Sequence, residues 1–206
     1  YDVYVKHGTK ETMTLVANEN SRPVEEGQEE FACKIGNAKY TTINNALEAS
    51  NDGDIIELLV NIKQQNQIVI PQNKIITLDY KGHTVKSYNP EALYKNYGNL
   101  TITDSTNALN KNTFTGKEYI YNEGTLALSR VYLYNNAKNT YTIENKDGIV
   151  TMDSVKMDVG ADNSSGKVGI NNSANGSITA QNSTFSMWYN NKMFNNYGTL
   201  EVKNST

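Results

Sequence analysis

Cysteine and histidine are scarce in this chain of 206 residues, which has one cysteine, Cys33, and two histidines, His7 and His83. A single cysteine excludes an intrachain disulfide, and its position between Ala32 and Lys34 is more typical of a small buried residue than of a nucleophile. The histidines lie far apart in the sequence, and no spacing of Cys and His matches a zinc site. We therefore predict neither a metal site nor a cofactor.

Long apolar segments and excess positive charge are also missing. No apolar run approaches the roughly 20 residues of a membrane-spanning helix, so we predict no membrane span in this segment. The formal net charge is −3, the isoelectric point is about 5.5, and no basic cluster is visible in the sequence. This composition argues against a nucleic-acid partner.

Asparagine, in contrast, is abundant, with 30 residues, and much of it belongs to a repeat. From residue 94 onward the chain repeats an apolar residue, any residue, an asparagine, a short spacer and a glycine. The five copies end at Gly98, Gly124, Gly148, Gly176 and Gly198. Successive glycines are 26, 24, 28 and 22 residues apart, and a period in this range indicates a solenoid.

Short strands are predicted after each repeat glycine, because apolar residues alternate there with small or polar ones. Two positions after the glycines stand Leu100, Leu126, Val150, Ile178 and Leu200, and four positions after them stand Ile102, Leu128, Met152, Ala180 and Val202. A second strand is predicted at Val131 and Leu133, at Val155 and Met157, and, one residue out of phase, at Phe185 and Met187. A third strand leads into the next asparagine through Tyr119 and Tyr121 or Ile120, through Tyr141 and Ile143, and through Val168 and Ile170.

Three short strands per coil predict an all-β fold, a right-handed parallel β-helix with coils of about 22–28 residues. No helix-length apolar periodicity separates the strands, although parallel strands in other folds need helical crossovers. The low hydrophobic fraction of 37% fits a thin solenoid, which exposes a large share of its surface.

The asparagine of each repeat is predicted to form a ladder with its equivalents in neighbouring coils. These residues are Asn96, Asn122, Asn145, Asn172 and Asn196. Asparagine tolerates left-handed turns and bonds to the backbone through its side chain, and identical asparagines stack well. The alternative is a row of polar ligands for a partner. We favour the structural role, because the position adjoins the turn glycine in every copy.

The chain is predicted to consist of two parts. Residues 1–35 are assigned to N-terminal strands, a linker or a cap of the first coil, and residues 36–206 to the β-helix. The chain ends in mid-coil, so we expect the β-helix to be truncated and to have neighbouring domains in a longer protein.

A short helix is predicted near the start of the second part. Thr41 or Thr42 can cap it, and Ile43, Ala46 and Leu47 share one face. An uncovered first coil exposes core residues and an unpaired strand edge, so we predict that this helix covers the first coil.

The segment from Gly36 to Val85 resembles the opening of a known family. It contains Asn37-Ala38-Lys39-Tyr40-Thr41-Thr42-Ile43-Asn44-Asn45-Ala46-Leu47, then Asp52-Gly53-Asp54-Ile55-Ile56-Glu57-Leu58, and later Ile70-Pro71 and Lys74-Ile75-Ile76-Thr77-Leu78. This pattern is similar to the start of pectate-lyase-like right-handed parallel β-helix domains of bacterial surface proteins of the Gram-positive type. The resemblance covers residues 36–206 and implies the fold and the capping helix. The family includes lyases, hydrolases, esterases, tailspikes and adhesins, so it does not settle the activity.

Catalytic chemistry of that family needs residues that this sequence does not bring together. Its lyases hold an acidic sugar with Ca²⁺ and clustered carboxylates and remove a proton with Arg or Lys. Arg22 lies outside the repeats, and Arg130 has only Asp104 at a matching position, which we interpret as a surface ion pair. No adjacent acids, as a glycoside hydrolase requires, stand in the repeat columns. We predict no catalytic residue.

Aromatic residues are the remaining candidates for a binding site. Trp188 and Tyr189 lie where the chain leaves a strand, and Tyr132 and Tyr134 alternate with the buried Leu133. Aromatic rings beside Asn and Asp are a composition that suits sugars and protein loops. The alternative is that these tyrosines stack along the coils as cross-strand pairs.

These observations favour a non-catalytic binding, adhesion or spacer module of an extracellular or cell-surface protein. It would recognise a glycan or a host protein through an exposed face rich in aromatic residues and asparagine. The alternative is a carbohydrate-active enzyme, a lyase or glycoside hydrolase, whose site lies largely outside this segment.

Overall fold

A computed structural model describes residues 31–113, 118–135, 141–160 and 166–206. Residues 31–206 form one compact unit. The strands predicted within residues 1–30 lie outside the described residues. Among those that are described, no helix has the length and apolar character needed to cross a bilayer.

The compact unit begins with a hairpin and a short helix. Strands β1 (Cys33–Ile35) and β2 (Ala38–Tyr40) pair antiparallel, and helix α1 spans Ile43–Ala49. Thr42 is the N-cap, because its side chain accepts a hydrogen bond from the backbone N–H of Asn45 at 3.0 Å. The buried residues of α1 join the apolar cluster of the first coils, so the predicted capping helix is confirmed.

In the described residues six full coils follow, each adding one strand to each of three sheets, and strand β21 of sheet 1 comes after the sixth coil. Sheet 1 adds β3 (Ile55–Leu58), β6 (Ile75–Asp79), β9 (Asn99–Thr103), β12 (Thr125–Ser129), β15 (Ile149–Asp153), β18 (Ser177–Gln181) and β21 (Thr199–Lys203) to the hairpin. Sheet 2 contains β4 (Ile62–Gln64), β7 (Val85–Ser87), β10 (Lys111–Thr113), β13 (Tyr132–Asn135), β16 (Lys156–Val159) and β19 (Thr184–Met187). Sheet 3 contains β5 (Ile68–Ile70), β8 (Tyr94–Asn96), β11 (Glu118–Asn122), β14 (Tyr141–Asn145), β17 (Val168–Asn172) and β20 (Lys192–Asn196).

The strands of the coils pair in parallel, and like residues stack on like. In sheet 1, Leu126 pairs with Leu100 on one side and with Val150 on the other, and all three side chains are buried. These stacked columns form one apolar core that runs through the coils. The prediction of a parallel β-helix is therefore confirmed.

One predicted register was wrong. Phe185 was expected one residue out of phase with the second strands of earlier coils, yet it pairs directly with Met157. Met157 in turn pairs with Leu133. The small residue Ser183 occupies the position that Val131 and Val155 fill earlier, which disguised the alignment in the sequence.

The repeat glycines allow successive coils to approach closely. A Cβ on Gly124 would lie 2.1 Å from the carbonyl oxygen of Gly98, and one on Gly198 would lie 2.2 Å from that of Gly176. None of the five repeat glycines, all of which are described, has φ in the left-handed region. Their small size, and not their conformational freedom, explains the residue type.

Residues with a left-handed backbone conformation occur instead directly after several strands of sheet 1. Arg130, Ser154, Asn182 and Asn204 have φ values of 54°, 58°, 51° and 48°. The ladder asparagines do not share this conformation, so turn tolerance does not explain them.

Three tyrosines fill the core of the second and third coils. The Tyr80 hydroxyl lies 3.1 Å from the Tyr94 hydroxyl and 3.0 Å from the Tyr119 hydroxyl. The rings of Tyr94 and Tyr119 meet edge to face with centroids 5.6 Å apart. Burial raises the pKa of all three phenols, so they remain protonated donors at neutral pH.

Candidate functional site

The five repeat asparagines form a hydrogen-bonded ladder at the turn between sheet 3 and sheet 1. The Nδ2 of each asparagine donates to the Oδ1 of the next one along, at 2.7 Å in all four steps from Asn96 to Asn196. The same amides also donate to main-chain oxygens near the repeat glycines, such as that of Gly148 at 2.9 Å. Four of the five side chains are fully buried, so they are unavailable as ligands for a partner.

The ladder has a defined first rung. Ile70 occupies the equivalent position in the preceding coil and pairs with Asn96. An isoleucine side chain has no N–H to donate, and the Oδ1 of Asn96 accordingly has no hydrogen-bond partner.

Tyr132 and Tyr134 lie on the outward side of sheet 2, which carries a mixture of lysine and tyrosine. We define the sheet-2 outer face as Lys63, Lys86, Lys111, Thr113, Tyr132, Tyr134, Lys156, Asp158, Thr184 and Ser186. These residues alternate along their strands with side chains that point into the solenoid, such as Leu133 and Met157. The two tyrosines are half-buried.

Contacts across neighbouring strands fix the two tyrosine rings. The Tyr132 hydroxyl donates to Oδ2 of Asp158 at 2.5 Å, and the Lys156 ammonium lies 3.7 Å from the same oxygen. Lys156 Nζ also lies 4.3 Å from the centre of the Tyr132 ring, and Lys111 Nζ lies 3.3 Å from that of Tyr134. These are cation–π contacts, which hold both cations above aromatic faces.

The Tyr132 phenol is a hydrogen-bond donor and a poor base. Burial raises its pKa above the usual value near 10, and the hydrogen bond to Asp158 raises it further. The phenol therefore stays protonated at neutral pH, and a role in proton abstraction from a sugar has no support here.

Trp188 and Tyr189 follow β19, the last strand of sheet 2. Trp188 is 40% exposed and Tyr189 is 61% exposed, and the preceding Met187 is exposed as well. The backbone N–H of Trp188 still donates to the carbonyl oxygen of Val159 at 3.1 Å, so the segment stays attached to the sheet. Tyr189 has a φ of 59°, a conformation that is rare for an aromatic residue.

The lysines of the sheet-2 outer face were not identified from the sequence. Lys63, Lys86, Lys111 and Lys156 are separated by 23, 25 and 45 residues, so no local basic cluster is visible. They can be recognised once the register of sheet 2 is known, because each lysine is adjacent to the buried residue of its sheet-2 strand.

Arg130 and Asp104 do not form the ion pair expected from the sequence. The Arg130 side chain donates to the main-chain oxygen of Asp104 at 3.3 Å and to the Thr103 hydroxyl at 3.2 Å. The Asp104 carboxylate is buried and accepts hydrogen bonds from the backbone of Gly82 and Thr106 instead. Across the four described ranges, no group of three or more His, Cys, Asp or Glu side chains is placed to hold a metal ion.

Fold and site together define a β-solenoid repeat protein with a lysine- and tyrosine-lined face. Neither a family model, nor a curated protein, nor a solved structure matches the chain.

Proposed function

We propose that this chain is a non-catalytic, extracellular carbohydrate-binding module of a pectate-lyase-like β-helix protein at a bacterial cell surface. The observation that carries the proposal is the exposed Trp188–Tyr189 pair at the end of sheet 2, next to the outer face that holds Tyr132 and Tyr134. Aromatic side chains with a polar rim are what binding surfaces use as anchors.

A glycan array tests the proposal, with two readouts on the same purified chain: retention on the array and release of soluble products. We expect retention without cleavage. Trp188→Ala should weaken retention about tenfold or more, as loss of an aromatic anchor does. Tyr197→Ala is the matched control, because Tyr197 is 69% exposed but follows sheet 3.

The outcomes separate the proposal from its alternatives. Product release from any glycan would favour an enzyme. Equal weakening of retention by Trp188→Ala and Tyr197→Ala would contradict a binding site at Trp188. No retention of the parent chain on any glycan would favour a protein partner or a spacer.

A further inference from the structure

The outer faces of sheet 1 and sheet 2 differ in charge. The sheet-2 outer face carries four lysines, Lys63, Lys86, Lys111 and Lys156, and one carboxylate, that of Asp158. The strands of sheet 1 from β3 to β21 place four acids and one lysine on their outward side, namely Glu57, Asp79, Asp153, Glu201 and Lys203. The sheet-2 outer face is thus net positive, although the chain has a net charge of −3.

Two of these lysines are direct neighbours with no compensating acid. Lys63 of β4 and Lys86 of β7 are paired partners in adjacent parallel strands. Like charges directly opposite each other destabilise a sheet. Among the described residues, the ion pairs of this face involve only Lys156 and Asp158, which leaves Lys63, Lys86 and Lys111 without a carboxylate.

Tyrosine rings hold three of the lysines close to the sheet. Lys111 and Lys156 lie over Tyr134 and Tyr132, and Lys86 Nζ lies 5.4 Å from the centre of the Tyr88 ring. A cation held in this way loses less rotamer freedom when an anion binds to it. The lysines are therefore partly preorganised for an anionic partner.

The spacing of the charges favours a sparsely charged polymer. Adjacent strands of a sheet are about 4.8 Å apart, so the four lysines extend over about 19 Å from β4 to β16. Nucleic acid carries a phosphate about every 3.4 Å along each strand, which is denser than four lysines spread over the five strands from β4 to β16.

We propose, building on the carbohydrate-binding function above, that the sheet-2 outer face binds an anionic polysaccharide across its strands without a metal ion. The lysines contact carboxylate or sulfate groups directly. Because this face has one carboxylate, already bonded to Tyr132 and Lys156, calcium has no ligand set to bridge sugar and protein.

The test compares three polymers that share one backbone: dextran, carboxymethyl-dextran and dextran sulfate. We expect binding to one or both anionic forms and not to dextran, and the stronger of the two identifies the anionic group. Binding should survive EDTA. It should weaken as ionic strength rises from about 0.1 M to about 1 M, because the screening length falls from about 10 Å to about 3 Å.

Variants locate the binding on the protein. The double substitution Lys63→Gln and Lys86→Gln should weaken binding at least tenfold, and Lys63→Arg with Lys86→Arg should restore it. Lys95→Gln is the control, because Lys95 lies on the outward side of sheet 3. Circular dichroism melting of each variant shows whether the fold is intact.

Equal binding to dextran, loss of binding in EDTA, or an undiminished affinity of the folded double variant would overturn the inference. Tighter binding to a single-stranded oligonucleotide than to either anionic dextran would overturn it in favour of nucleic acid. Retention of neutral glycans on the array would, in either case, leave the proposed carbohydrate-binding function standing.

Discussion

The side-chain amide of Asn122 donates to the Oδ1 of Asn145, one coil further on, across 2.7 Å. Both side chains are fully buried, and the amide of Asn145 donates in the same way to Asn172. A buried amide group that is fully hydrogen-bonded stabilises a single register of the coils, and a partner left without its bond is costly.

Removal of one rung should therefore destabilise the solenoid. Asn145→Ala leaves the amide of Asn122 and the Oδ1 of Asn172 without a partner on that side, which costs about 1–3 kcal/mol for each unsatisfied group. Urea unfolding measures the change. Asn73→Ala, at an exposed turn position, is the control and should lie within about 0.5 kcal/mol of the parent chain.

A methyl group at a repeat glycine should be less well tolerated than one at a turn glycine. The Cβ of Gly124→Ala would lie 2.1 Å from the Gly98 carbonyl oxygen, so the coils must separate locally. Gly36→Ala meets nothing within 4 Å and incurs only the cost of a φ of +57°, about 1–2 kcal/mol. Thermal melting should rank Gly124→Ala as the more destabilising change, and the reverse order would contradict the close-approach explanation.

The solenoid could be predicted from the sequence because its signal is repeated. Five copies place Asn and Gly at the same step of the coil, and the residue two positions after each glycine is always apolar. The N-cap residue followed the same kind of local rule, since Thr42 precedes the first apolar residue of the helix. The reason for the glycines was not predictable, because it depends on how near the preceding coil lies.

The lysine- and tyrosine-lined face could not be predicted in the same way. Its members come from six strands of sheet 2, each only 3 or 4 residues long. The substitution of Ser183 for a valine hid the alignment of the last strand. A single residue of register error moves a side chain to the opposite face of a sheet, so the charge of a face is known only once its register is known.

Stability should fall steeply at alkaline pH. Burial raises the pKa of Tyr80, Tyr94 and Tyr119 above the ordinary tyrosine pKa of about 10, which applies to the unfolded chain. The unfolded state then binds fewer protons than the folded state above pH 10, so the stabilisation is complete below pH 10 and is lost as pH rises beyond it. Each such tyrosine contributes a slope of up to about 1.4 kcal/mol per pH unit.

Denaturant unfolding between pH 8 and pH 11 measures this slope. Tyr80→Phe should make it shallower, although the loss of two hydroxyl contacts lowers the stability at pH 8. The buried Cys33, whose pKa burial raises to about 11, acts in the same direction and remains in both chains. An unchanged slope in Tyr80→Phe would show that the tyrosine cluster does not govern the alkaline transition.

The fluorescence of Trp188 tests the central claim, that the sheet-2 outer face and the turn after it bind carbohydrate. Trp188 is the only tryptophan of the chain, so all tryptophan emission comes from this one position. The measurement is a fluorescence titration with the glycan that the array retains most strongly. We predict a change in emission that saturates at the same Kd as binding measured by calorimetry. Saturated binding with unchanged Trp188 emission would contradict the account and place the ligand elsewhere on the solenoid.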